Sequence, residues 1–172
     1  MSKIFLTADH HFGHDNIIKN CNRPFKDVDE MNAVLIDNWN SVINKKDIIY
    51  HLGDIVCFRK NEYLIDILKQ LNGRIHLILG NHDNIKKKNY QLFDSIEQLK
   101  TIKYKGIKIV LCHYAMRVWN CSCHGSLHFY AHSHGMLPIK ANSMDVGVDC
   151  HNFKPLFIED AIDMLNNASK PV

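Results

Sequence analysis

No run of 18 apolar residues occurs in the 172-residue chain, so the sequence holds no candidate for a membrane-crossing helix. Strong charge of one sign is missing as well: a formal charge of +3 is too small to mark a nucleic-acid binder by itself. There is no internal repeat, linker or low-complexity segment. With 46% hydrophobic residues the chain can bury one sizeable core, and its length predicts a single domain over residues 1–172. A cleavable signal pattern is lacking, because Met1-Ser2-Lys3 enters a short strand directly, and a soluble cytoplasmic protein is expected. The six cysteines, Cys21, Cys57, Cys112, Cys121, Cys123 and Cys150, are scattered. Without an export signal they are expected as reduced thiols.

What the chain has in excess is histidine, 12 residues. Imidazole is the commonest metal ligand and a proton carrier near neutral pH. The most informative stretch is Leu77-Ile78-Leu79-Gly80-Asn81-His82-Asp83. Ile75 to Leu79 are apolar apart from His76, and they run straight into a glycine followed by three polar residues. This is the pattern of a buried strand ending in a functional loop. Gly80 lets the backbone turn where a side chain would clash, so Asn81, His82 and Asp83 can be aimed at one point past the sheet edge. Other strand-like runs end in the same way. Lys3 to Ala8 delivers Asp9-His10-His11, where Asp9 and His11 can face one ion while His10 faces elsewhere. Asp47 to Leu52 delivers Gly53-Asp54, Ile107 to Cys112 delivers His113, and Leu127 to Ala131 delivers His132-Ser133-His134-Gly135.

Between these runs, Met31, Val34, Leu35, Ile36, Trp39, Val42 and Ile43 recur at helical spacing and predict an amphipathic helix over residues 28–43. A second helix is expected from about Asn61 to Leu71, closing at Gly73 as a C-cap. Residues 13–16 read as a loop, residues 90–93 as a loop or short helix, and residues 21–25 as an irregular segment fixed by Pro24. Lys105-Gly106 predicts a hairpin between strands 99–104 and 107–112. Residues 144–149 form one more extended run, and a helix over 159–166 ends in a polar tail. Strands alternating with helices, followed by a strand-rich second half, predict a layered α/β fold with polar residues converging on one sheet edge. Asp9, His11, Asp54, Asn81, His113, His132 and His134 are an inventory for two borderline divalent ions, too many ligands for one tetrahedral zinc. His82 is left over.

Asp9-x-His11, Gly53-Asp54, Gly80-Asn81-His82-Asp83, His113 and His132-x-His134, in that order, resemble the five motifs of the calcineurin-like metallophosphoesterases, from Lys3 to about Gly135. One departure is Ala131, where the family usually has glycine; a slight backbone adjustment without loss of ligands is expected. The resemblance implies a four-layer β-sandwich of mixed sheets flanked by helices. It implies Asp9, His11 and His134 on one metal, Asn81, His113 and His132 on the other, and Asp54 bridging. His82 would be the proton donor or transition-state stabiliser, oriented by a hydrogen bond to Asp83. Two ions roughly 3.5–4 Å apart would activate a bridging hydroxide for in-line attack on a phosphate ester, with no covalent phospho-enzyme. Manganese is the first expectation, with iron, zinc, nickel or magnesium also accommodated.

The minimal fold uses nearly all of the chain, so no large cap encloses the site. An open groove suits phosphodiesters, including those derived from nucleotides or nucleic acids. A phosphomonoesterase or protein phosphatase is the alternative, and a non-catalytic metal-binding module a further one, opposed by the presence of both His82 and Asp83. Arg117 is a candidate phosphate contact, since guanidinium suits phosphate geometry, weighed against a surface role. Arg23 is weighed in the same way. His10 and His14 lie near the first motif, where hydrogen-bonded loop roles are expected ahead of substrate contact. Cys121-x-Cys123-His124 resembles part of a zinc site but has no second ligand pair, so free thiols are expected. Lys86 to Lys88 read as a solvated face, and Trp119 and Phe25 as packing residues.

Overall fold

The structure, a computed structural model, describes residues 2–57, 61–140 and 142–168. In chain order it forms β1 (Ile4–Thr7), α1 (Asp15–Asn20), α2 (Val28–Val42), β2 (Ile48–His51), α3 (Asn61–Leu68), β3 (Arg74–Ile78), β4 (Ser95–Glu97), β5 (Leu99–Tyr104), β6 (Ile107–Cys112), β7 (Leu127–Tyr130), β8 (Ser143–Asp145), β9 (Leu156–Phe157) and α4 (Ile158–Ala168). The strands make two mixed sheets flanked by helices, ordered β4-β3-β2-β1-β9 and β5-β6-β7-β8. In the first, β1 to β4 run parallel and β9 antiparallel to β1. In the second, β5 is antiparallel to β6, while β6, β7 and β8 are parallel.

Strand alternation separates two cores. In β2, Ile49 packs on the helix side with Phe5, Met31, Leu35, Trp39, Leu64 and Ile67. Its neighbour Tyr50 packs the other way, with Leu6, Ile109, Leu111 and Phe129 between the sheets. α4 joins this second core through Ile158, Ala161, Ile162 and Leu165, the i, i+3, i+4, i+7 stripe of an amphipathic helix. α2 buries Met31, Leu35 and Trp39 at four-residue spacing. The Asp27 carboxylate caps it, accepting from the Glu30 N–H at 2.8 Å.

Topology places the site. Because β1, β2 and β3 are parallel, their C-terminal ends share one edge of the first sheet, and parallel β6 and β7 do the same in the second. The two edges are joined where His113 Nδ1 donates to Leu52 O at 2.7 Å, while Ala131 N–H donates to His113 O at 3.0 Å.

Several expectations needed correction. α1, β4 and β9 were not anticipated, being too short to display a hydrophobic period; pairing with β3 and β1, not local sequence, defines the two strands. α3 ends at Leu68, so Gly73 is not its cap. It sits at φ +95°, where a Cβ would stand 2.2 Å from Ile49 Cδ1, so its lack of a side chain lets β2 pack closely. The run over 144–149 gives only Met144 and Asp145 to β8 before a 3-10 turn at Val148–Cys150. All six cysteines are free thiols. Among the described residues no helix is long and apolar enough to cross a membrane. The polar tail after Ala168 lies outside the described residues.

Trp39 is fully buried and its Nε1 donates to Asn72 O at 2.8 Å, tying α2 to the segment that leads into β3. Trp39→Ala should destabilise the fold by about 3–5 kcal/mol. The urea midpoint of the metal-free protein measures this, with the slope unchanged.

Candidate metal centre

Each delivering strand turns abruptly at its end. Asp9, His11, Asp54, His132 and His134 adopt left-handed backbone, with φ of 57°, 51°, 55°, 68° and 47°. Non-glycine residues rarely enter this region, at a cost on the order of 1–3 kcal/mol each. Hydrogen bonds between loops hold them there. Asp9 N–H donates to Gly53 O and His11 N–H to Asp54 O, each at 3.0 Å, and His132 N–H donates to Asp9 Oδ2 at 2.8 Å. At Gly80, an added Cβ would lie 2.2 Å from Asp54 Oδ1 and 2.7 Å from Asp54 N, so glycine is what lets these two loops meet.

Four three-residue donor groups result among the described residues, the others being His11, Asp54 and His82 and Cys21, His134 and Asp149; two consist wholly of the sequence candidates for metal ligation. Ligand atoms of Asp9, His11 and His134 lie within 4.8 Å of one another, as do those of Asp54, His113 and His132. Asn81 Oδ1 is 3.1 Å from His113 Nε2, and His132 Nδ1 is 3.3 Å from the same nitrogen. One oxygen links the groups: Asp54 Oδ2 lies 3.6 Å from His11 Nε2 and 3.6 Å from His113 Nε2. Ligands about 2.0–2.2 Å from a shared ion stand roughly 3.0–3.6 Å apart, which is the spacing found around His113 Nε2 and between Asp54 and His11. All seven sequence candidates for metal ligation therefore meet on one edge.

The electrostatics suit a cation. His113 donates through Nδ1 to Leu52 O, and His134 through Nδ1 to Asp149 Oδ2 at 2.7 Å. With Nδ1 committed, neutral His113 keeps Nε2 as an acceptor, 3.1 Å from the acceptor Asn81 Oδ1. Burial lowers the His134 pKa, but the Asp149 hydrogen bond and the nearby carboxylates outweigh it and raise the pKa. Among the described residues, Asp9 Oδ1 and both ring nitrogens of His11 are buried with no hydrogen-bond partner, an arrangement that costs free energy unless a cation satisfies it. Burial, reinforced by the carboxylates of Asp145 and Asp54, raises the Asp9 pKa well above the usual carboxylate range. Burial, then the nearby Arg23 charge, pushes His11 down to about 2, so its ring is neutral and free to ligate. The mixed nitrogen and oxygen set fits borderline divalent ions.

Three supporting residues escaped the sequence reading or were misread. Arg23 is buried, not a phosphate contact: its Nε and Nη2 fork onto Asp149 at 2.8 Å each, and it donates to the carbonyls of His10 and Asp9 at 3.0 and 2.6 Å. Burial works against the charge of Asp149, but the hydrogen bonds from His134 and Arg23 outweigh it and hold that carboxyl below its usual range. Asp145 accepts from Ser133 Oγ and from Gly147 N–H, fixing the turn between His132 and His134. The available signal was two acidic residues flanking a glycine in an otherwise apolar run. Asp83 also departs from expectation. Its Oδ2 accepts from the N–H groups of Asp54 and Gly80 at 2.7 and 2.9 Å, and its Oδ1 from Ile55 N–H at 3.0 Å. It clamps two loops, and both its oxygens are committed to backbone amides instead of orienting the His82 ring.

His82 is half-buried, with its ring 5.1 Å from that of His11 and its N–H donating to Asp54 Oδ1 at 2.9 Å. His14 lies beside it, 5.9 Å away ring to ring. His10 points into the core, stacked on Phe12 and 2.9 Å from His51 Nε2, which removes it from any substrate. Arg117 is exposed and makes no ion pair or hydrogen bond among the described residues, and Lys86 to Lys88 are exposed as well. Cys121, Cys123 and His124 do not assemble into a donor group among the described residues; Cys121 Sγ accepts from Lys108 Nζ at 2.9 Å. Trp119 packs on His128 and Phe25 on Phe153.

A two-sheet α/β fold whose strand ends gather histidine and carboxylate groups is of the phosphoesterase class. The calcineurin-like phosphoesterase superfamily domain matches residues 3–144, and the chain belongs to that superfamily. An uncharacterised protein of Methanocaldococcus jannaschii is 37% identical over 172 residues, 96% of this chain and 92% of the relative. A protein of unknown function from Aquifex aeolicus has a similar structure, with TM-score 0.75 and 28% identity over 95% of this chain and all 100% of the other. An archaeal phosphodiesterase shares the fold at TM-score 0.50 and 18% identity, over 84% of this chain and 82% of its own.

The Arg23, Asp149 and His134 chain generates a direct prediction. Asp149→Asn keeps the shape but removes the charge that fixes the His134 tautomer, and should weaken manganese binding by about 10–100-fold in a calorimetric titration.

Proposed function

We propose that this chain hydrolyses phosphodiesters, using two divalent cations held by the groups around Asp9 and His113. The observation that carries the reading is the Asp54 carboxylate, one oxygen of which stands 3.6 Å from a ring nitrogen in each group. Asp9, His11 and His134 would hold one ion, Asn81, His113 and His132 the other, with Asp54 shared. Manganese is the preferred metal, on the ground of the mixed imidazole and carboxylate set. When bound, the ions supply Lewis-acid charge for the phosphate oxygens and lower the pKa of bound water.

The remaining work falls to side chains. His82, beside His11 and open on one side, donates a proton to the departing ester oxygen. Asp83 keeps the His82 loop against the Asp54 loop through three amide hydrogen bonds, so the acid and the shared carboxylate move as one unit. Asn81 and His132 are exposed, which leaves room for an ester group on either side of phosphorus. A diester carries one negative charge and needs fewer cationic side chains than a monoester dianion. That fits a site around which Arg117 and Lys86 to Lys88 stand free in solvent.

Metal analysis after saturation should approach two ions per chain, and Asn81→Ala should lower that number; one ion per chain, unchanged by the substitution, would sink the dinuclear reading. His82→Ala should reduce turnover by about 10²–10⁴-fold with metal content nearly intact, the deficit shrinking for nitrophenolate leaving groups. For a diester and a monoester with the same leaving group, kcat/KM should favour the diester. A clear preference for the monoester makes the chain a phosphomonoesterase instead.

A further inference from the structure

Beside the metal centre lies a cleft of about 520 Å³ lined by Leu79, Gly80, Gln98, Leu99, Cys112 and Tyr114, within the roughly 300–1,000 Å³ typical of small-molecule sites. Tyr114 belongs to both. Its ring lies edge-on to His113 and to His132, at 4.9 and 5.0 Å between centroids, yet the residue is 48% exposed. Leu99 is 45% exposed, so an aromatic and an aliphatic surface stand open to solvent at one place. Among the described residues, Asp83 is the one acidic group in the lining, with both oxygens occupied by backbone N–H groups, and no lysine or arginine lines the cleft. The carboxamide of Gln98 is exposed and makes no hydrogen bond among the described residues.

We infer that this cleft binds the nucleobase of a nucleotide-derived phosphodiester, the base stacking on Tyr114 with its polar edge at Gln98 while the phosphate occupies the metal centre. The inference rests on the phosphoesterase reading and adds the class of substrate. Among the described residues the lining offers one carboxylate and no cation to a second phosphate, and a plain alkyl group would leave the Gln98 amide unused. A base has two apolar faces for Tyr114 and Leu99, and an edge that a carboxamide, both donor and acceptor, can pair with. Since the Tyr114 ring packs on two candidate metal ligands, a base stacked there is joined to the phosphorus through its sugar and one ester bond.

The test compares two diesters with the same leaving group, thymidine 5′-(p-nitrophenyl phosphate) and methyl p-nitrophenyl phosphate, on the metal-loaded protein. The thymidine ester should have kcat/KM higher by about tenfold or more, mainly through KM, which is the size expected from base stacking on an aromatic ring. Tyr114→Ala and Gln98→Ala should each bring the ratio of the two esters toward one, and Tyr114→Phe should keep it. Equal kcat/KM for the two esters in the wild type overturns the inference, as does a ratio that Tyr114→Ala leaves intact. If neither ester is hydrolysed the phosphoesterase reading fails, and calorimetry with thymidine 5′-monophosphate decides the cleft by itself. Binding weakened about tenfold by Tyr114→Ala then supports the base site; affinity no better than that of inorganic phosphate overturns it.

Discussion

Acceptor atoms crowded against acceptor atoms are the constraint on which this structure depends. Asn81 Oδ1, His132 Nδ1 and Asp54 Oδ2 stand 3.1 to 3.6 Å from His113 Nε2, which can only accept because its Nδ1 donates to Leu52 O. Every outer contact pushes in the same direction. Leu52 O accepts a hydrogen bond from His113, Asp149 accepts one from His134, and amides occupy Asp83. Acceptor atoms are thereby concentrated at the site, where a cation would relieve them.

That crowding also accounts for the backbone. Five ligand candidates sit in left-handed conformations, which a relaxed polypeptide avoids. The two sheets supply the compensation, since Ile49 and Tyr50 anchor β2 in separate cores and leave Gly53-Asp54 no freedom to retreat. Strain at the loops and close packing in the strands are therefore two ends of one arrangement. The glycines at 53 and 80 mark where the loops come nearest: a Cβ on Gly53 would stand 2.5 Å from Gly80 N.

The sequence made the deliveries legible because each couples an apolar run to polar residues at its end, a pattern local enough to read directly. Long strands and α2 were legible for the same reason. What the sequence did not reveal is held by long-range pairing. β9 is two residues fixed only by β1, and α1 has too few apolar positions to express a period. Asp145 and Asp149 looked like ordinary members of a strand, because their partners Ser133, His134 and Arg23 are distant in the chain. Asp83 was assigned to the wrong partner, since a carboxylate near a histidine is indistinguishable in sequence from one that turns back onto its own loop.

The Arg23 fork bears on the order in which the molecule can be assembled. Arg23 grips Asp149 across 126 positions of chain, and through it His134; Asp9 is gripped by His132 across 123. On the ribosome, where synthesis runs from the N-terminus, β1 to β3 and their helices can gather while the first donor group still has no His134 and the second has no His132. Until residues 132–134 have emerged, the groups that need His132 and His134 stay incomplete, and among the described residues only His11, Asp54 and His82 can gather. Completion of both groups therefore waits on contacts between distant parts of the chain, which makes it a late step in folding.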